Sequence, residues 1–306
     1  MRYVEIAEQR ISRVGLGCWQ FGAREWGWTP AQRADSIAIL RRAVELGVTL
    51  FDTAEMYSLG LSERIVGEAL SDVRDRVFLA TKFAPILPVL SRIERSARRS
   101  AERLGTQQID LYQLHWPHPL IPLRLQTAAL KCVQQSGLVR HVGVSNYPLW
   151  MWRRAESLLG GPILSNQVHY HLLRRVAERR VLPWAQQNGR VVIAYSPLAQ
   201  GFLSGKYSAD NVPRDVRRIN RFVGRRAWRR AQPAIDLLRE IAAAHGATPA
   251  QIALAWLLHH DNVVVIPGAR RMEQLHQNAE AADIRLRDDE FVALTEASNR
   301  FHGWRA

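Results

Sequence analysis

Lysine is nearly missing from this chain: of its 42 basic residues only three are lysines, at positions 82, 131 and 206, leaving 39 arginines. Cysteine is scarcer still, and Cys18 and Cys132 are too few for a disulfide framework. No apolar run approaches the roughly 18–20 residues a membrane-spanning helix needs, which excludes an integral helical membrane protein. The opening residues, MRYVEIAEQR, carry charge where a signal peptide needs an apolar stretch, so a cytoplasmic protein is expected. Also lacking are a linker, an internal repeat and a low-complexity stretch, and residues 1–306 read as one domain.

What is present is an ordinary globular composition, 47% hydrophobic and 23% charged over 306 residues. The net charge of +14 comes from arginines spread along nearly every helical segment, with one concentration from Arg214 to Arg230. A specific nucleic-acid binder gathers its cations into a stripe, so no specific nucleic acid and no membrane is expected as a partner. Weak attraction to polyanions at low salt follows from the charge alone.

Eight β-rich apolar runs punctuate the chain: RVGLG (13–17), TLFDT (49–53), VFLATK (77–82), IDLYQLH (109–115), HVGVSN (141–146), ILSNQV (163–168), VVIAYS (191–196) and VVVIPG (263–268). Helical signatures lie between them. Thr29 and Pro30 open one helix that Gly47 ends, Ser62 opens SERIVGEAL, and Thr248-Pro249 opens PAQIALAWLLHH. RRVAERRVLPWAQQNG ends on Asn188-Gly189, a helix stop. Buried-type strands alternating with helices predict a parallel α/β sheet. Closed on itself, it is a (β/α)8 TIM barrel, with the first dozen residues as a hairpin at the barrel floor. An open doubly wound sheet is the alternative, but GLGCWQFG after the first run lacks its Gly-x-Gly-x-x-Gly turn. A long connection, about 200–232, separates the seventh strand from its helix and reads as a lid or binding segment.

Such barrels place their chemistry at the carboxyl ends of the strands. Reading off those ends gives Trp19 and Gln20, Asp52 and Tyr57, Lys82, His115, Ser145 and Asn146, Asn166 and Gln167, Tyr195 and Ser196, and Arg270 and Arg271. Each alone has a bland explanation as a cap, a loop aromatic or a core histidine. Together, four titratable side chains of different type end three successive strands. A tyrosine titrates near 10, too high for efficient proton transfer at neutral pH, and an adjacent ammonium lowers that value. An aspartate would anchor the lysine, and a histidine would hydrogen-bond a polarised carbonyl. Reduction of that carbonyl needs a hydride donor that proteins lack, which implies a nicotinamide cofactor.

These residues resemble the aldo-keto reductase family. DTAEMYSLGLSERIVGEAL (52–70) is similar to the family's aspartate and tyrosine segment, LATKF (79–83) to its lysine strand and DLYQLHWPHP (110–119) to its histidine strand. VGVSNY (142–147), NQVHYH (166–171), YSPLAQGFLSGKY (195–207) and IPGARRMEQLHQN (266–278) extend the likeness along the whole chain, nearest to the bacterial and potassium-channel β-subunit-like branches. The resemblance implies Tyr57 as general acid, tuned by Lys82 and Asp52, with His115 orienting the carbonyl. It implies NADP(H) held by Gly17, Trp19, Ser145, Asn146, Gln167 and Tyr195 at the nicotinamide, and by Ser196, Leu198, Gln200 and Lys206 along the pyrophosphate. Gly268, Arg270, Gln274, Gln277 and Asn278 would hold the adenosine end, and Arg218 or its neighbour Arg217 could reach the same phosphate. Two departures stand out: Cys18 occupies the family's usual threonine position, and Arg270 stands where serine or threonine is common. An arginine fork suits a 2′-phosphate, which favours NADP(H).

The substrate pocket is assigned to Trp19, Trp26, Trp28, Met56 and Trp116. A small carbonyl or alcohol is the expected partner. Two other readings stay open at this point. One is a nucleotide-binding, redox-sensing regulatory subunit with slow turnover; the other is a metal-dependent barrel hydrolase using His169 and His171, which share one face of a strand.

Overall fold

Each of the eight apolar runs forms a strand. The computed structural model describes residues 1–24, 27–85, 93–207 and 225–302. An antiparallel hairpin comes first, β1 (Tyr3–Ile6) paired with β2 (Gln9–Ser12). The barrel strands follow: β3 (Leu16–Gly17), β4 (Leu50–Asp52), β5 (Phe78–Phe83), β6 (Ile109–Leu114), β7 (Val139–Ser145), β8 (Ser165–His169), β9 (Val191–Tyr195) and β10 (Val263–Val265). They are parallel and lie in sequence order, each beside its predecessor. A parallel bridge between Val14 and Val265 joins the first and last strands, with Gly15 N–H on Val265 O at 2.8 Å and Val265 N–H on Arg13 O at 2.9 Å.

The seam is tight. A Cβ on Gly17 would stand 2.8 Å from Ile266 O, so only glycine lets the two strands approach here. Beside it the buried Arg13 guanidinium donates to the carbonyls of Val263 and His260, and burial pushes its pKa down to about 10.

Helices alternate with the strands: α1 (Arg33–Glu45), α2 (Leu61–Leu70), α3 (Ile93–Leu104), α4 (Leu123–Gln135), α5 (Leu149–Leu159), α6 (Val181–Gln187), α7 (Arg225–Ala244), α8 (Pro249–Leu257), α9 (Met272–Glu280) and α10 (Asp288–His302). Thr248 caps α8 through a reciprocal box with Gln251, as its Thr-Pro signature predicts. Ser62 differs from its expected capping role. The helix starts one residue earlier, after the left-handed Gly60, and the Ser62 hydroxyl donates to Cys18 O at 2.8 Å while meeting Thr53 Oγ1.

The long connection is also shorter than expected. Ala199–Ser204 forms a 3-10 segment, and α7 begins at Arg225, so 225–232 is helix. Trp228, Ala231, Ile235 and Leu238 form its buried stripe, which the surrounding arginines obscured in the sequence. Residues 208–224, with Arg217 and Arg218, lie outside the described residues, as does Trp26.

At the floor, Ile11 of the hairpin meets Leu50, Phe78, Leu111, Val191 and Val264 around a small apolar cavity. Each such side chain removed from water contributes about 2 kcal/mol. A second, larger apolar layer fills the space between the strands and the helices.

Candidate active site

β4 brings Asp52 to the rim in three residues, and the next connection makes a tight turn over Tyr57–Gly60. In that turn Ser58 and Leu59 sit in the left-handed region, at φ 50° and 55°. β5 delivers Lys82, and His115 follows the last residue of β6. The four groups the sequence singled out converge here.

Lys82 is fully buried, and its Nζ donates to Asp52 Oδ1 at 2.5 Å, Thr53 O at 2.8 Å and Tyr57 Oη at 3.3 Å. All three protons of the ammonium are thereby used. Burial alone would lower the Lys82 pKa, but Asp52 and the Tyr57 oxygen outweigh it and the net direction is up, so Lys82 is a permanent cation. Burial dominates Tyr57 and pushes its pKa up; Lys82 opposes this and Asp52 adds to it. The expected lowering by lysine is therefore present but overridden by desolvation.

His115 is held the other way. Burial, with the Lys82 charge behind it, drives its pKa down to about 3, so the imidazole is neutral. Its ring stands edge-on to Tyr57, with centroids 5.7 Å apart, and Trp116 tilts over it at 4.8 Å. The Nδ1 atom is buried with no hydrogen-bond partner among the described residues.

Two glutamines complete the aspartate. Gln167 Nε2 donates to Asp52 Oδ2 at 2.7 Å, and Gln113 Nε2 lies 3.4 Å from the same oxygen. Sequence reasoning missed Gln113. Its signal was a lone amide inside the apolar run IDLYQLH, which a buried strand tolerates only with a partner. The Gln167 amide nitrogen, expected to meet a cofactor, is committed to Asp52.

A second polar edge adjoins the four. Ser145 Oγ donates to Gln167 O at 2.9 Å, Asn146 Nδ2 donates to Ser145 Oγ at 3.0 Å, and Tyr195 Oη donates to Asn146 Oδ1 at 3.0 Å. Asn146 is exposed and left-handed, at φ 60°. The Tyr195 ring is stacked on His169, 5.0 Å away and 16° from parallel. Ser196, Ala199 and Gln200 have positive φ as well, bending the chain after β9 around the half-buried Leu198 toward the exposed Lys206.

Across the seam, Arg270 is exposed, its backbone N–H held by Gln274 Oε1 at 2.9 Å. Asn278 Nδ2 reaches Gly268 O at 3.4 Å, Gln277 Nε2 bonds Glu273, and the bare α-carbon of Gly268 leaves room for Gln20. An exposed amide, a flat phenol ring and two exposed cations on one rim suit a nucleotide carrying phosphates.

Trp19 and Met56 are 39% and 40% exposed, and Trp116 is half-buried. Trp28 is 7% exposed, with Nε1 donating to Ser36 on α1, and lines a small pocket with Gln20, Phe21 and Arg270. His169 and His171 stand 4.8 Å apart, but no group of three or more His, Cys, Asp or Glu that could hold a metal occurs among the described residues. No helix among those residues is long and apolar enough to cross a membrane.

The Aldo/keto reductase family model matches residues 13–299 of this chain. The chain belongs to the aldo-keto reductase family. An uncharacterized oxidoreductase of Mycobacterium tuberculosis is 46% identical over 98% of this chain and 94% of its own length. The methylglyoxal reductase YeaE of Escherichia coli is 35% identical, covering 94% and 91% of the two chains. A crystal structure of an aldo-keto reductase from Klebsiella pneumoniae in complex with NADPH superposes with a TM-score of 0.80 at 34% identity, over 96% of this chain and 94% of that one. The strand-end tetrad and the (β/α)8 architecture are thus set in an aldo-keto reductase scaffold.

Proposed function

We propose that this aldo-keto reductase interconverts an aldehyde or ketone with its alcohol, using NADP(H) and Tyr57 as the proton donor in reduction. The observation that carries the reading is the buried Lys82, hydrogen-bonded at once to Asp52 and to the Tyr57 hydroxyl. The NADPH complex of the Klebsiella relative, with the exposed Asn146, Lys206 and Arg270 and the half-buried Tyr195 on one rim, supports the choice of cofactor.

When bound, NADPH would supply the hydride that no side chain can provide. The chain's own residues manage the proton and the orientation. Tyr57 remains protonated through neutral pH because burial raises its pKa, which suits a donor in the reducing direction. As the phenol releases its proton to the carbonyl oxygen, the negative charge left on Oη is met by the Lys82 ammonium 3.3 Å away. Asp52 holds that ammonium in place. His115, being neutral, can donate from Nε2 to the carbonyl oxygen without adding a second cation beside Lys82.

Trp19, Met56 and Trp116 offer apolar and aromatic surface for the rest of the substrate. We assign small aldehydes and ketones as the substrate class, and methylglyoxal, the substrate in the Escherichia coli relative's name, heads the panel to be assayed. Tyr57→Phe tests the mechanism. Reduction should fall by about 10²–10⁴-fold with NADPH binding unchanged, because only the transferable proton is removed. Retained turnover would remove Tyr57 from the proton step.

A further inference from the structure

Behind the turn that carries Tyr57 lies a carboxylate that plays no part in the proton step. Glu63, in the first turn of α2, is fully buried. Its Oε1 accepts from Thr81 Oγ1 at 2.6 Å, and its Oε2 accepts from Arg103 Nε of α3 at 2.5 Å. Arg103 in turn donates to Ser100 Oγ at 3.1 Å.

The partners are informative. Thr81 immediately precedes Lys82 in β5. The Arg103 side chain lies on Gly60, where an added Cβ would meet its Cδ and Nε at 2.6 Å. Gly60, at φ 86°, closes the turn that begins at Tyr57 and holds the left-handed Ser58 and Leu59. Such backbone conformations persist only where their surroundings hold them. A buried ion pair is a poor device for stability, since desolvation cancels most of its attraction. Here its two ends grip the element carrying Tyr57 and the strand carrying Lys82.

We infer that Glu63 is a positioning residue, which through Thr81 and Arg103 fixes the Tyr57 turn against β5 and keeps the Tyr57 hydroxyl in register with Lys82. The inference rests on the reading of Tyr57 as proton donor. The charged and titratable groups acting on Tyr57 are Lys82, Asp52 and Cys18, with the neutral His115 ring at its edge; Glu63 is not among them, so it acts by geometry.

The test compares kcat, its pH profile, the NADPH Kd and the Tm of the full chain with those of Glu63→Ala, Glu63→Gln and Thr81→Val. Glu156→Ala is the control, because it removes a half-buried ion pair with Arg190 that lies away from the tyrosine turn. Glu63→Ala should lower kcat by about 10–100-fold, the scale of a misplacement near 1 Å, with Kd unchanged. The high-pH limb of kcat should move upward, because a displaced Tyr57 loses the lysine that opposes its upward shift. Glu63→Gln keeps the hydrogen-bonding reach and should recover most of the rate.

Thr81→Val removes one hydrogen bond at nearly constant volume and should reproduce part of the loss, so it carries the test if Glu63→Ala fails to fold. A wild-type kcat and pH profile in Thr81→Val and in any folded Glu63→Ala would overturn the inference. So would an equal kcat loss in Glu156→Ala at the same fall in Tm. Activity retained in Tyr57→Phe would instead overturn the proton-donor reading.

Discussion

At its N-terminal end the barrel is filled by Ile11 of the hairpin with Leu50, Phe78 and Val191, while β4, β5 and β9 carry Asp52, Lys82 and Tyr195 at the other end. In β4 the change takes three residues, from Leu50 at the floor to Asp52 at the rim. The backbone follows the same division. Of eight non-glycine residues with positive φ among the described residues, Ser58, Leu59, Asn146, Ser196, Ala199 and Gln200 lie in rim connections, and Ala7 and Glu8 lie in the hairpin turn. Floor side chains gain free energy by leaving water. Rim side chains are held in costly states (a buried ammonium, an unpartnered imidazole nitrogen, left-handed turns) that the floor's packing sustains.

The largest effect expected comes from Lys82→Met. It should lower kcat by about 10³-fold and destabilise the fold by about 3 kcal/mol, because Asp52 stays buried with only two amides for partners. Adding Asp52→Asn should restore much of the stability and none of the activity, as read by urea unfolding beside an NADPH assay. An active Lys82→Met protein would break the rim half of the comparison. Ile11→Ala probes the floor and should cost about 2–4 kcal/mol in urea unfolding while leaving kcat unchanged. A parallel loss of kcat would show that the two ends are not separable.

Much of this division was legible in the sequence, because it is written in local patterns. Each run from TLFDT to VVVIPG shows apolar residues giving way to polar ones, and the Thr-Pro starts at Thr29 and Thr248 mark helix entries. The pairings that needed closure of the barrel were not legible. Gln113 and Gln167 come from strands far from Asp52 in sequence and meet it only across the interior. Glu63 in SERIVGEAL looks like an exposed helical acid until Arg103 arrives from the next helix. Ser62 failed for a related reason. It has the composition of a cap, and it is taken up by a tertiary contact with Cys18. The direction of the Tyr57 shift was misjudged because burial is a property of the fold, and it outweighs the lysine.

A smaller effect is expected at the nucleotide end. Arg270→Ala should weaken NADPH by about tenfold and leave NADH nearly unchanged if, as we propose, its guanidinium meets the 2′-phosphate that NADH lacks. Titrations followed by tryptophan fluorescence decide it, and equal losses for both nucleotides would remove Arg270 from that role.

The smallest effect separates the two ends by pH. Burial first, and then Lys82, drives His115 at the rim down to about 3, while His141, which stacks on Phe78 at the floor, is lowered by burial and by Arg140. Above pH 6.5 both histidines are neutral folded or unfolded, and neither makes stability depend on pH. As pH falls through that value the unfolded chain takes up protons that the folded chain refuses, so stability drops, for His115 until about pH 3. His115 should contribute about 1 kcal/mol of loss by pH 5.5, seen as a falling urea midpoint, and His141 a loss of the same sign. His115→Gln and His141→Gln should each flatten that slope, but only His115→Gln should lower kcat. Because His115 is already neutral, kcat of the unmodified protein should show no histidine limb between pH 5 and 8; such a limb, abolished by His115→Gln, would mean that this imidazole titrates in the working enzyme.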